Sequence, residues 1–179
     1  ALVIAAAAEL LVADGPGAVT HASVASAAKV SRTTVYNHWR TREDLLRATI
    51  DSIGKAAHAV ADLTGSLRTD LGILCEHLIS DLVDEQRAPM IANMMERSLH
   101  DPAVVAVRNQ FLAEFEHVFR AVVAKAISDG ELRCDLDVRR SLAGIFGSFL
   151  FARFMAGVVF DRCYADAVID DFIRVNAPR

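Results

Sequence analysis

Residues 20 to 42 read Thr20-His21-Ala22-Ser23-Val24-Ala25-Ser26-Ala27-Ala28-Lys29-Val30-Ser31-Arg32-Thr33-Thr34-Val35-Tyr36-Asn37-His38-Trp39-Arg40-Thr41-Arg42, and how this stretch is read decides the fold. Two short helices fit it. The first is capped by Thr20 and buries Val24 and Ala28; the second is opened by Ser31 and buries Val35 and Trp39. Ala25 is small enough to let the two helices cross closely. The layout is that of a helix-turn-helix, whose second helix can lie in a DNA major groove while the first crosses the backbone.

The charge distribution agrees. Lys29, Arg32, Arg40 and Arg42 give the stretch +4 with no acid, whereas the whole chain carries −4 and the remainder therefore −8. An acidic protein binds DNA when its cations gather on one face, because affinity comes from local phosphate neutralisation. Charge alone also fits a solvated surface. The added weight comes from the caps, the turn, the hydroxyl and amide residues opening the second helix, and a Tyr and His beside arginine.

Outward from this stretch, the chain of 179 residues is 53% hydrophobic and 23% charged, which excludes disorder and allows one compact core. Gly15-Pro16-Gly17 closes a first apolar stretch, and Pro89, Pro102 and Pro178 stand at the edges of periodic segments. Leu67, Leu71, Leu74, Leu78 and Leu82 form one helical stripe; Val104, Val107, Phe111, Phe115, Val118, Val122 and Ile127 form another, ended by Asp129-Gly130. Asp135 or Asp137 caps a long apolar helix that follows. No segment alternates like a strand. The expectation is an all-α chain of about nine helices: an N-terminal helix-turn-helix domain over residues 1–42, then a helical bundle over residues 43–179.

Residues 141–160 carry a single charge, Arg153, and are long enough to span a bilayer, but no one-sided basic cluster flanks them, so a buried bundle helix is expected. Ala1 to Ala8 lack the basic residues of a signal peptide, and Glu9 followed by Leu10-Leu11-Val12 continues them as a helix already under way, which implies residues before Ala1. Cys75, Cys134 and Cys163 are too widely spaced for a Cys-x-x-Cys site, and their odd number suits a reducing cytoplasm.

The run Val24-Ala25, Ala28-Lys29-Val30-Ser31-Arg32-Thr33-Thr34-Val35-Tyr36-Asn37-His38-Trp39 and Arg42-Glu43-Asp44-Leu45-Leu46 resembles the DNA-binding domain of the TetR/AcrR family of transcriptional regulators. Two positions depart from that pattern. Lys29 stands where the turn usually has glycine, which implies a reshaped turn or a left-handed lysine, and Arg42 replaces a lysine. By resemblance, Arg32, Thr33 and Asn37 contact base edges. Thr20, His21, Thr34, Tyr36, His38 and Arg42 then face phosphates, while Trp39 is core.

The resemblance further implies a homodimer whose bundle binds a small-molecule effector and releases a palindromic double-stranded DNA operator, with the helix from Glu43 as the mechanical link. Met90, Met94, Phe111, Phe115 and Phe146 offer adaptable apolar surface, with His77, Arg97 and Arg153 as polar groups; each also fits plain core packing. Gly144, Ser148, Ala152 and Ala156 repeat every four residues, and with Ile169 and Phe172 from the last segment they suit a four-helix dimer contact or a helix of the same subunit. The rival class is a di-iron enzyme or a lipid carrier. Glu114 and His117 have one Glu-x-x-His spacing, yet no second one exists, and no phosphate loop or nucleophile elbow is present, so no metal, cofactor or catalytic residue is expected.

Overall fold

The computed structural model describes residues 2–57, 63–85 and 87–178, except for the side chains of 53–57 and 103. Among the described residues there are nine α-helices and no strand: α1 (Leu2–Asp14), α2 (His21–Ala27), α3 (Arg32–His38), α4 (Arg42–Ala57), α5 (Leu67–Val83), α6 (Arg87–Arg97), α7 (Pro102–Ser128), α8 (Val138–Phe151) and α9 (Arg162–Asn176). The boundaries follow local chemistry. Pro102 opens α7 at the position where a missing N–H is harmless, and Gly130 (φ 75°) lets the chain leave it by a left-handed turn. Of the two possible caps for α8, Asp137 is the one that accepts, from the Arg140 N–H at 3.0 Å.

Two compact units result, and they do not follow chain order: Ala1–His58 with Pro89–Glu114, and Ala59–Ala88 with Phe115–Arg179. Helix α7 contributes its first half to one and its second half to the other. In the first unit Ala7, Leu11, Val12, Val19, Val24, Ala25, Val35 and Leu45 bury together with Met94, Val104 and Val107. Gly15 is required twice over. Its φ of 83° is left-handed, and a Cβ there would run into the guanidinium of Arg97, which donates to the Ala13 carbonyl at 3.2 Å and pairs with Asp101 at 3.5 Å.

The second unit is built on rings. All five leucines of the α5 stripe are buried. On α7 the buried face runs through Phe115, Phe119, Val122, Val123 and Ala126, so Phe119 takes the central place that the expected stripe gave to Val118. Phe119 lies 6.1 Å from both Phe146 and Phe172, ring centre to ring centre, and Phe115 meets Phe146 edge-on at 5.5 Å.

The long apolar helix expected over residues 141–160 is shorter and one-sided. Helix α8 stops at Phe151 and passes into a π turn, Ala152–Ala156, which Gly157 ends at φ 63° with the β-branched Val158 and Val159 following. Leu142, Ile145, Phe146, Phe149 and Ala152 face inward, while Phe151 and Met155 are 63% and 76% exposed. No helix among the described residues is long and apolar enough to cross a membrane.

Candidate nucleic-acid interface

Helices α2 and α3 have seven residues each, too few to hold together alone, so their ends and their shared core must fix them. Thr20 and Ser23 form a reciprocal capping box: the Ser23 N–H donates to Thr20 Oγ1 at 3.1 Å, and the Thr20 N–H to Ser23 Oγ at 3.1 Å. Ser31 accepts from the Thr34 N–H at 3.1 Å. Val24 and Val35 are fully buried and Ala25 nearly so, which seats α3 against α2; Trp39 is half-buried against the same cluster.

The turn between them is left-handed at Lys29. Lys29 adopts φ 54°, and the turn closes through the Val30 N–H on the Ala25 carbonyl at 2.9 Å and the Lys29 N–H on the Ser26 carbonyl at 3.2 Å. A non-glycine residue in that region costs about 1–2 kcal/mol.

Of the residues expected at DNA, Arg32, Thr33, Thr34, Asn37 and His38 are exposed on α3, and Tyr36 is 50% exposed. Thr20 is half-buried, with its hydroxyl in the capping box. Two others have internal partners. His21 is buried, its Nε2 lies 2.7 Å from the Trp39 carbonyl oxygen, and its ring stacks on Tyr36 at 3.9 Å with the planes 2° apart. Arg42 is half-buried; its guanidinium donates to the Val19 carbonyl at 3.0 Å through Nε and to the Pro16 carbonyl through Nη2. Just beyond, Thr41 and Asp44 bond reciprocally at the start of α4, and the Thr41 hydroxyl and N–H hold the Asp44 carboxyl below its usual range.

The stacking of His21 on Tyr36 is what reading the residues did not supply, whereas for Lys29 the left-handed turn is one of two readings and is the one adopted. No spacing rule reports a ring stack between residues 21 and 36.

The candidate effector residues divide between the units. Met90, Met94 and Phe111 pack with the core of the first unit, and Arg97 falls within that unit's residues. His77, Phe115 and Phe146 come together in the second, where His77 is half-buried with its ring 6.3 Å from that of Phe115. Arg153 donates from Nε to the Leu82 carbonyl at 2.8 Å and thereby ties the π turn to α5.

Among the dimer candidates, Gly144 and Ala156 are exposed, Ser148 is half-buried, and Ala152, Ile169 and Phe172 are buried within the chain. The π turn adds a residue to the helical repeat between Ala152 and Ala156, which takes Ala156 off the every-four register. An open groove of about 510 Å³ between α8 and α9 is lined by Gly144, Ser148, Val168 and Val175, among others.

Comparison with known proteins places this arrangement. Residues 3–49 match the family model for bacterial regulatory proteins of the tetR family, and residues 60–172 match that for a tetracyclin repressor-like C-terminal domain. The chain is 26% identical over 176 residues to a DNA-binding transcriptional repressor TetR of Mycobacteroides abscessus, covering 98% of this chain and 92% of that protein. It is 27% identical over 176 residues to the HTH-type regulator YdeS of Bacillus subtilis, covering 98% and 88%. A TetR transcriptional regulator from Agrobacterium tumefaciens has the same fold, with a TM-score of 0.69 at 21% identity over 97% of this chain and 92% of that one.

Proposed function

Because this chain belongs to the TetR family of bacterial transcriptional regulators, we propose that it is a cytoplasmic repressor without catalytic activity, which binds a palindromic operator as a homodimer and releases it when a small apolar effector binds. The observation that carries the DNA-binding half is the capped α2–α3 pair: α3 exposes Arg32, Thr33 and Asn37, and no acid stands anywhere in residues 20–42. In this reading Arg32 takes guanine O6 and N7 together, and Thr33 and Asn37 read neighbouring base edges. Thr20, Thr34, Tyr36 and His38 engage phosphates. His21 and Arg42 act from behind, the first by fixing the plane of Tyr36 and the second by holding residues 16–19 against the start of α4.

The division by function falls near residue 42, with residues 43–179 serving effector and dimer. The ring group of His77, Phe115 and Phe146 is the effector's contact surface in this reading, since its aromatic edges suit a flat or branched apolar molecule. Helix α4, which begins within the DNA-binding segment, and helix α7, which contributes to both units, carry the effector's preference for one arrangement to the DNA-binding segment. The face of α8 and α9 around the exposed Gly144 and the half-buried Ser148 and Val168 serves the second subunit in this reading.

The test is to select a duplex from a random pool with the unmodified protein and then measure Arg32→Ala on it and on its single-base variants. We expect preference to relax at one position in each half-site by roughly 1–3 kcal/mol. An equal loss on selected and scrambled DNA would remove Arg32 from base reading, and failure of the unmodified protein to bind any duplex at low salt would overturn the regulator itself. Small apolar compounds that raise its melting temperature should release the duplex, and Phe115→Ala should blunt that release.

A further inference from the structure

Lys29 has a side chain that the fold does not use. Its turn is closed entirely by backbone bonds, Val30 to Ala25 and Lys29 to Ser26, and glycine would adopt φ 54° without strain. The lysine side chain is exposed and makes no ion pair among the described residues, and no acid lies within residues 20–42. A strained non-glycine residue whose side chain contributes nothing inside the protein points to something outside it.

A second observation narrows what that is. Of the four cations in the stretch, Arg42 is turned inward onto two carbonyl oxygens. Lys29, Arg32 and Arg40 remain as its exposed charges, and Lys29 stands in the turn immediately before the recognition helix α3.

We infer that Lys29 is a DNA-binding residue that contacts the phosphate backbone beside the recognition helix, and that its left-handed conformation is retained for that charge at the expense of stability. This rests on the DNA-binding reading above. An ammonium on a flexible four-carbon stem is a compact point charge that neutralises a phosphate without demanding one geometry, so its contribution is independent of base sequence. Stability and affinity therefore oppose one another at this position.

The experiment compares the unmodified protein with Lys29→Gly and Lys29→Gln. Each is measured for thermal unfolding and for binding to the selected duplex and to a scrambled duplex of equal length over a salt series. Lys29→Gly should melt about 2–6 °C higher and yet bind both duplexes roughly 5- to 20-fold more weakly, with the slope of log affinity against log salt flatter by about 0.9 per recognition helix. Lys29→Gln, which keeps the strain and removes the charge, should lose the same affinity with no gain in melting temperature. Unchanged affinity and slope in either variant would overturn the phosphate contact. A loss confined to the selected duplex would overturn it too, by making Lys29 a base reader. A Lys29→Gly protein that melts at or below the unmodified one would overturn the opposition of stability and affinity. If the unmodified protein binds neither duplex, the regulatory reading itself fails and this inference with it, an outcome distinct from all the others.

Discussion

The α2–α3 pair and the second unit are held by different physics. The pair has two seven-residue helices with few large apolar side chains, and directed hydrogen bonds add to the burial of Val24, Ala25 and Val35: Thr20 with Ser23, Ser31 with Thr34 and His21 with Trp39, while Arg42 at the start of α4 ties down residues 16 and 19 just before the pair. The second unit relies on undirected burial, with Phe115, Phe119, Phe146 and Phe172 packed ring against ring and Phe149 against Phe160 and Tyr164. Hydrogen bonds fail when an angle or distance drifts, so they fix the spacing of the exposed Arg32 and Asn37, as the base contacts proposed for them would require. Ring packing tolerates rearrangement at similar volume, which is compatible with the effector response proposed for this unit.

The largest effect that bears on this contrast is Phe119→Ala. Removing the ring at the centre of the second unit should cost about 3–5 kcal/mol in denaturant unfolding, while the folded fraction keeps its affinity for DNA. A loss below about 1 kcal/mol would show that the rings are not what holds this unit.

Next is His21→Ala, which removes a buried partner of the Trp39 carbonyl and the stack on Tyr36. We expect roughly 1–3 kcal/mol of destabilisation, together with a weaker grip on DNA of any sequence as Tyr36 loses its fixed plane. Normal stability combined with weakened binding would instead place His21 itself at the phosphates.

Ser31→Ala should have the smallest effect, about 1 kcal/mol, through loss of the cap on α3. Hydrogen exchange should locate that loss in residues 32–38 and leave α5 and α9 unchanged. Exchange that quickens evenly across the chain would mean that the α2–α3 pair opens only with the whole protein, and the contrast between the two regions would collapse.

The sequence by itself determined the helix-turn-helix and most of the helix boundaries. Caps, turns and short-range periodicity act between residues three or four apart, so Thr20, Ser31, Pro102 and Gly130 announce their roles locally, and the cap of α8 was narrowed to Asp135 or Asp137. Arg32, Thr33 and Asn37 were singled out by the family resemblance, and the structure leaves all three exposed. Tertiary structure decided what depends on partners far along the chain: His21 turning inward onto Tyr36 and Trp39, Arg42 onto residues 16 and 19, and Phe119 rather than Val118 taking the core. It also decided that α6 and the first half of α7 pack into the compact unit that contains α2 and α3, and that the apolar run after residue 141 breaks at Gly157. The physical reason is common to these cases. An apolar or amphipathic side chain states that it will be buried, but which neighbours bury it is settled only when segments distant in sequence compete for the same surface.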